Sequence, residues 1–310
     1  MTRALFVLLA TLACGPLGGQ DRATAPAETD REATPGPAAT ESSGSGHATK
    51  AFAAVLDRYD FEKRTRHFDL PGRLDEISGL AMTADGRLFA HDDERGRIYR
   101  IDPATGEVGP SFDLGSTPVP GDFEGIALIG ERFFLVTSLG FLYEFREGSD
   151  GASLGYRVTD TGVGAGCEVE GLDYDPLDDA LLLACKTAFR EPGVIVIHRL
   201  PVDPARDRPA PLRVQKQALS SHGIDPEFDP SAIAVDAGGT ILLLSGRHEA
   251  LVEIDRSGAV VAARALSRRR HPQPEGLAIA ADGTLYIADE ANGGDARLTV
   301  YARGDAEAPG

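Results

Sequence analysis

The chain has 310 residues, 42% of them hydrophobic, with 31 Lys+Arg against 48 Asp+Glu and a formal charge of −17. That length and apolar content suffice for one large all-β domain or two ordinary ones, and they exclude disorder throughout. The negative charge repels phosphate backbones and anionic headgroups, which argues against nucleic-acid and charge-driven membrane binding and favours cations or basic partners.

Residues 1–14 read MTRALFVLLATLAC, a basic Arg3 followed by an apolar run from Ala4 to Ala13 that has the length of a secretory h-region. A signal peptide is expected. Its end, Thr11-Leu12-Ala13-Cys14, resembles a bacterial lipoprotein signal, in which Cys14 is lipidated and becomes the new N-terminus. Thr11 stands where Leu is usual, and the alternative is a chance cysteine in an ordinary cleaved signal. Residues 15–50 are Gly, Pro, Ala, Ser, Thr, Asp and Glu with hardly a large apolar side chain, so they read as a disordered linker. No later apolar run approaches the roughly 18 residues that span a bilayer. The folded part, residues 60–303, is expected to be soluble, either lipid-anchored at a bacterial cell envelope or periplasmic or secreted. Membrane contact would come only through the lipid anchor.

Five segments then match: Ser78-Gly79-Leu80-Ala81, Glu124-Gly125-Ile126-Ala127, Glu170-Gly171-Leu172-Asp173, Ser231-Ala232-Ile233-Ala234 and Glu275-Gly276-Leu277-Ala278. Their spacings of 46, 46, 61 and 44 residues are those of β-propeller blades. Each motif strand leads through a tight turn, clearest at Asp85-Gly86, Gly238-Gly239 and Asp282-Gly283, into a short apolar second strand. A third strand follows, and in units one to four a fourth. Unit five stops after three strands, while Thr65 to Leu70 precedes unit one and looks like the missing fourth. The expected fold is therefore all-β: a five-bladed propeller of four-stranded antiparallel blades, with its ring closed by the N-terminal strand and six blades as the alternative.

The stretches Leu74-Asp-Glu-Ile-Ser-Gly-Leu80, Gly121-Asp-Phe-Glu-Gly-Ile126, Glu168-Val-Glu-Gly-Leu-Asp173 and Gln273-Pro-Glu-Gly-Leu277 resemble the SdiA-regulated family. These are secreted or membrane-tethered propellers distantly similar to NHL repeats. The resemblance runs from about Phe68 to Tyr301 and implies a five-bladed propeller with a calcium site and no established enzymatic activity. Unit four departs from the pattern with Ser231-Ala232 in place of Glu-Gly.

In a propeller the first strand of each blade lines the central channel, so the motif position forms a ring of Ser78, Glu124, Glu170, Ser231 and Glu275. Two residues earlier, on the same face of each strand, lies a second ring: Glu76, Asp122, Glu168, Asp229 and Gln273. Carboxylates concentrated in a narrow channel are costly unless a cation is bound, some are protonated or backbone N–H groups satisfy them. Hard oxygen ligands without a Cys/His cluster favour calcium, with Glu76, Asp122, Glu124, Glu168, Glu170 and Glu275 as its candidate ligands. Alternatively, each Glu caps the backbone of the neighbouring blade as a latch.

The second strands return to the face where these rings begin, and Asp92, Lys186, Arg247, Asp289 and Glu290 at their ends mark a candidate ligand mouth. The inserted loop Ser220 to Asp225 is expected to overhang it. Acidic over blades one and five and basic near Lys186 and Arg247, such a mouth suits a small polar or anionic ligand. An envelope protein is the other candidate partner. Cys167 and Cys185 fall near opposite positions on the first two strands of blade three and are expected to form a disulfide in an oxidising compartment. Two functions compete: a calcium-binding scaffold at the cell envelope, and a metal-dependent hydrolase of lactonase or phosphoesterase type, in which Asp92, Asp289 or Glu290 would act as general base. No nucleophile elbow, phosphate loop or zinc motif accompanies these residues, which favours the scaffold. The run Arg268-Arg269-Arg270-His271 reads as a solvated blade connection.

Overall fold

A computed structural model describes residues 54–304. The signal peptide, the lipidation candidate Cys14 and the linker 15–50 lie outside the described residues. Strand β1 (Arg66–Asp69) comes first and belongs to the last blade. Blade 1 follows as β2 (Ile77–Met82), β3 (Leu88–Asp92), β4 (Arg97–Ile101) and β5 (Val108–Leu114). Blade 2 comprises β6 (Phe123–Ile129), β7 (Arg132–Thr137), β8 (Phe141–Arg146) and β10 (Arg157–Asp160), with the two-residue β9 (Ser153–Leu154) leaving it to pair in parallel with β5. Blade 3 is built from β11 (Cys167–Asp175), β12 (Ala180–Ala188), β13 (Val194–Pro201) and β14 (Leu212–Gln215). Blade 4 has β15 (Ala232–Val235), β16 (Ile241–Ser245), β17 (Ala250–Ile254) and β18 (Val260–Ala265). Blade 5 has β19 (Pro274–Ile279), β20 (Leu285–Asp289), β21 (Arg297–Tyr301) and, outermost, β1.

The inner strands touch in the order β2, β6, β11, β15, β19 and back to β2, so the five sheets close into a ring. The ring is sealed by β1, which pairs antiparallel with β21 from Arg66 opposite Val300 to Asp69 opposite Arg297. The N-terminal strand thereby covers the edge that β21 would otherwise expose, and β1 takes its place as the outer edge of that blade. The architecture is a five-bladed β-propeller. No described helix is long and apolar enough to cross a membrane.

Apolar residues alternate along the strands, and each sheet buries both faces against its neighbours, so the core is divided into five clusters between adjacent blades. Between blades 1 and 2, Phe89, Phe112, Phe133 and Phe145 interlock, with Phe89 and Phe133 edge to face at a centroid distance of 5.0 Å. Motif glycines permit this closeness at the axis. A Cβ on Gly125 would sit 2.6 Å from the backbone nitrogen of Leu172 in the next blade, and one on Gly171 would sit 3.0 Å from that of Ile233. Where the repeat carries Ala232 instead, that methyl is itself buried between blades 4 and 5.

Two segments differ from the sequence expectation. The folded body begins before residue 60: a 3-10 turn at Val55–Arg58 seats Leu56, Tyr59 and Phe61 between blades 4 and 5. The buried Glu253 carboxylate accepts the Val55 and Leu56 N–H groups at 3.0 and 2.9 Å, capping that turn. The insertion before blade 4 adds an apolar plug that the sequence did not announce, while Ser220, Ser221, His222, Gly223 and Asp225 stay exposed. A 3-10 helix at Lys216–His222 and the chain after it bury Leu219, Ile224 and Phe228 between blades 3 and 4, because those three apolar side chains lose water contact only by turning inward.

Candidate functional site

The motif residues reach the channel through β-bulges. In blade 1 the pairing runs Ile77 to Asp92 and then Gly79 to His91, leaving Ser78 as the extra residue. Glu124, Glu170 and Glu275 are skipped in the same way in blades 2, 3 and 5. A bulge interrupts the ladder and re-aims one side chain, so the repeat turns a motif residue out of each of four inner strands. Blade 4 shows no such shift. There Ser231 ties blade 4 to blade 5, its Oγ donating to Pro274 O at 2.9 Å and accepting the Gly246 N–H at 3.0 Å.

Blade 3 carries a second bulge on the facing strand, where Lys186 is skipped between Thr187 and Cys185. The two bulges flank the Val169–Cys185 pair, and Lys186 Nζ reaches across to donate to Glu170 Oε1 at 2.8 Å. Immediately beside them, Cys167 and Cys185 form a disulfide with their Cα atoms 5.7 Å apart. It fastens the strand segments that carry Glu168 and Lys186.

Around this pair the acids converge. Glu170 is 4% exposed, and burial raises its pKa while Lys186 pulls it back and Glu168 and Asp122 push it up. Burial, then Glu170 and Asp122, raises Glu124, whose Oε2 accepts Ser78 Oγ at 3.4 Å. Glu275 is pushed up to about 7 by burial and then by Glu170. It packs on the blade 4 backbone, where a Cβ on Gly246 would lie 2.4 Å from its Oε1. Glu290, hydrogen-bonded by Gln273, is pushed up to about 8 by burial, then Glu275, Glu76 and Asp93.

Asp93 belongs to this cluster, although the repeat does not single it out. Its Oδ1 is buried without a hydrogen-bond partner, and burial followed by Glu76, Glu94 and Asp122 raises its pKa. The only sequence signal was its place in the acidic run Asp92-Asp93-Glu94 at the end of the second strand.

Other candidates lie elsewhere or are already paired. Asp229 is held by Lys216 at 2.7 Å, with Arg247 at 3.7 Å, so the plug neutralises the acid that blade 4 supplies. Arg247 is otherwise exposed. Asp289, expected at the mouth, is fully buried: its Oδ2 lies 2.9 Å from His271 Nδ1, and His271 Nε2 lies 2.7 Å from the Tyr301 hydroxyl. That network anchors the blade 4–5 connection and removes Asp289 as an accessible general base. Asp92 is half-buried, accepts the Arg95 N–H at 3.0 Å, and is pushed up to about 6, chiefly by burial.

The opposite end of the channel is chemically different. A cavity of about 480 Å³ there is lined chiefly by apolar side chains such as Leu80, Leu128, Val235 and Leu277, with Asp85, Arg87, Asp236 and, from blade 3, Asp173 among them. Asp173 occupies the motif position held by Ala81, Ala127, Ala234 and Ala278 in the other blades. Its carboxylate accepts the Val235 N–H at 2.7 Å and the Tyr174 N–H at 2.8 Å, joining blades 3 and 4.

All the donors at the acidic end are oxygens, which suits a hard cation such as calcium and not a soft one. The orphaned Asp93 oxygen fits such an ion as well. Among the described residues, the one trio of His, Cys or carboxyl ligand atoms mutually within 4.8 Å is Cys167, Cys185 and His198, and its sulfurs are bonded to each other. The channel acids thus stand around the axis without being drawn into a closed cage.

A closed ring of five sheets with carboxylates converging at one mouth defines a β-propeller with an acidic channel. The chain belongs to the SdiA-regulated family, whose family model matches residues 53–293. Among solved structures it is similar to a luciferin-regenerating enzyme, with a TM-score of 0.54 and 10% identity over 78% of this chain and 97% of that one. It is similar also to a glutaminyl cyclase from Myxococcus xanthus, with a TM-score of 0.54 and 16% identity over 78% and 97% of the two chains. A PQQ-bound aldose sugar dehydrogenase from Streptomyces coelicolor matches with a TM-score of 0.50 and 16% identity over 77% and 97%. At these identities the likeness is one of fold alone.

Proposed function

We propose that the chain is a calcium-binding propeller whose acidic mouth holds a small polar ligand or an envelope protein, and that its N-terminus carries it to the bacterial envelope. The observation that carries the metal is the convergence of Glu76, Asp93, Asp122, Glu124, Glu275 and Glu290 with Lys186 as the cation among their partners and one buried oxygen left unbonded. Glu170 and Asp229 already have ammonium partners, so the unpaired acids, with Glu168, are the ones that would hold the ion. Bound there, calcium would supply positive charge at a spot where burial and mutual repulsion disfavour ionised carboxylates. Lys186 at the same rim offers a donor to an anionic group on a ligand.

Metal that binds only the folded state stabilises it by roughly 2.7 kcal/mol at a hundredfold excess over the dissociation constant. Calorimetry should therefore show calcium binding, chelator should lower the melting temperature, and Glu124→Gln should blunt both effects. Glu131→Gln, a surface acid paired with Arg146, should leave them intact. No heat of binding and an unmoved melting curve would mean that the channel acids serve only as latches between blades.

A second reading, a metal-dependent hydrolase of lactones or phosphate esters, is supported by Asp92, a half-buried carboxyl pushed up to about 6, chiefly by burial, in the direction a general base requires. Turnover abolished by chelator and by Asp92→Asn would favour it over a binding role.

A further inference from the structure

The basic run at the blade 4–5 connection does not stand alone. A concave pocket of about 710 Å³ on the flank of blade 5 is lined by Lys63, Arg64, His67, Arg269, Arg270 and Arg297, with Ser267 and a single acid, Glu62, beside them. These side chains come from three distant parts of the sequence: the stretch running into β1, the connection before β19, and β21. We propose that this pocket binds a phosphate group, carried by a free anion or by an anionic lipid headgroup.

The cations are only partly neutralised. Arg270 meets Glu62 at 2.5 Å, Lys63 meets Asp60 at 3.5 Å, and Arg297 meets Asp69 at 3.4 Å. Arg64 and Arg269 have no carboxylate within 4.0 Å among the described residues, and Arg270 Nε is buried without a partner. Guanidinium groups present planar forks of N–H donors that match phosphate oxygens two at a time. Burial, then Arg64 and Arg297, holds the His67 imidazole below its usual range, while Asp69 pulls it back up.

The setting sharpens the inference. In a chain of charge −17, a distant anion is repelled, and screening over about 8–10 Å leaves only short-range contact to favour binding. A pocket that gathers uncompensated cations against that background is a local reversal of sign. The backbone that carries Arg270 is fixed in place, which lowers part of the ordering cost of binding. Ser267 O accepts the N–H groups of both Arg270 and His271 at 2.8 Å, and the His271 ring is clamped between Asp289 and Tyr301.

The test uses the full chain carrying Cys14→Ser, so that no acyl chain contributes. Inorganic phosphate is titrated by calorimetry, and in parallel the protein is co-sedimented with phosphatidylglycerol–phosphatidylcholine vesicles and with phosphatidylcholine vesicles alone. Binding is expected in at least one arm, weakened roughly tenfold by the pair Arg64→Glu and Arg269→Glu. It should be nearly unaffected by Arg268→Glu, a neighbour outside the pocket that pairs with Glu249 at 3.3 Å. Phosphate binding without vesicle binding assigns the pocket to a free anion; binding to phosphatidylglycerol vesicles, alone or with phosphate, assigns it to a headgroup. Both variant sites are on the surface, and Arg64→Ala with Arg269→Ala serves if charge reversal disturbs folding. Silence in both arms, or equal weakening by Arg268→Glu, overturns the proposal.

Discussion

At the scale of the residue, Asp173 shows how one substitution in a repeat changes both a joint and its chemistry. The other four blades carry Ala at that position, and only Asp can accept the Val235 and Tyr174 N–H groups. The cost is a carboxyl set into the wall of the blade junction, where burial pushes its pKa up to about 7 despite those two hydrogen bonds. A carboxyl whose folded pKa lies above its unfolded value of about 3.9 supports the fold fully below that value and loses its contribution as pH rises toward the folded pKa. The native state should therefore lose on the order of 2 kcal/mol between about pH 4 and pH 7 through this group, with allowance for water that reaches the cavity. Denaturant unfolding at a series of pH values should show that loss in the wild type and not in Asp173→Asn. Parallel stability curves for the two proteins would contradict it.

At the scale of the element, the repeat made the strands legible because period-two burial and turn residues recur at blade spacing. The rings of acids were legible for the same reason. What alternation misses is the single extra residue in an inner strand: the bulges at Glu124, Glu170 and Glu275 carry no mark beyond the glycine that follows each. Lys186 and Lys216 were equally hidden as counter-charges, since one depends on a second bulge and the other on an insertion outside the repeat. Asp289 read as a mouth residue because its partner His271 lies in a different segment of the chain. The Cys167–Cys185 bridge spans 18 residues and holds the two bulged segments of blade 3 together. Closing a loop of that size removes unfolded-state freedom worth about 3 kcal/mol. Replacing both cysteines by Ser should lower unfolding stability by roughly that amount, and it should weaken calcium binding beyond what the stability loss explains, because Glu168 and Lys186 sit next to the bridge. An unchanged denaturation midpoint would show that the bridge constrains nothing.

At the scale of the whole molecule, the decisive joint is the one between the chain's two ends. Strand β1 pairs with β21 across more than two hundred residues, and the ladder is extended by Thr65 N–H to Val300 O at 2.8 Å and Leu70 N–H to Ala296 O at 2.7 Å. Ahead of it, Leu56, Tyr59 and Phe61 fill the seam between blades 4 and 5, so the N-terminal stretch contributes both an edge cover and a piece of core. These two roles can be separated by truncation. A chain beginning at residue 64 keeps β1 but empties the seam, and the loss of large buried side chains should cost several kcal/mol, about 3–5 for each fully buried aromatic, while the protein stays monomeric. A chain beginning at residue 72 also strips β21 of its partner, leaving a row of unpaired N–H and C=O groups on a five-residue strand that carries Leu298, Val300 and Tyr301, the arrangement that templates edge-to-edge association. Light scattering after size exclusion should find the first truncation monomeric with a lowered melting temperature and the second aggregated. If the second remains monomeric and melts with the first, β1 is dispensable and the ring is held by its inner strands alone.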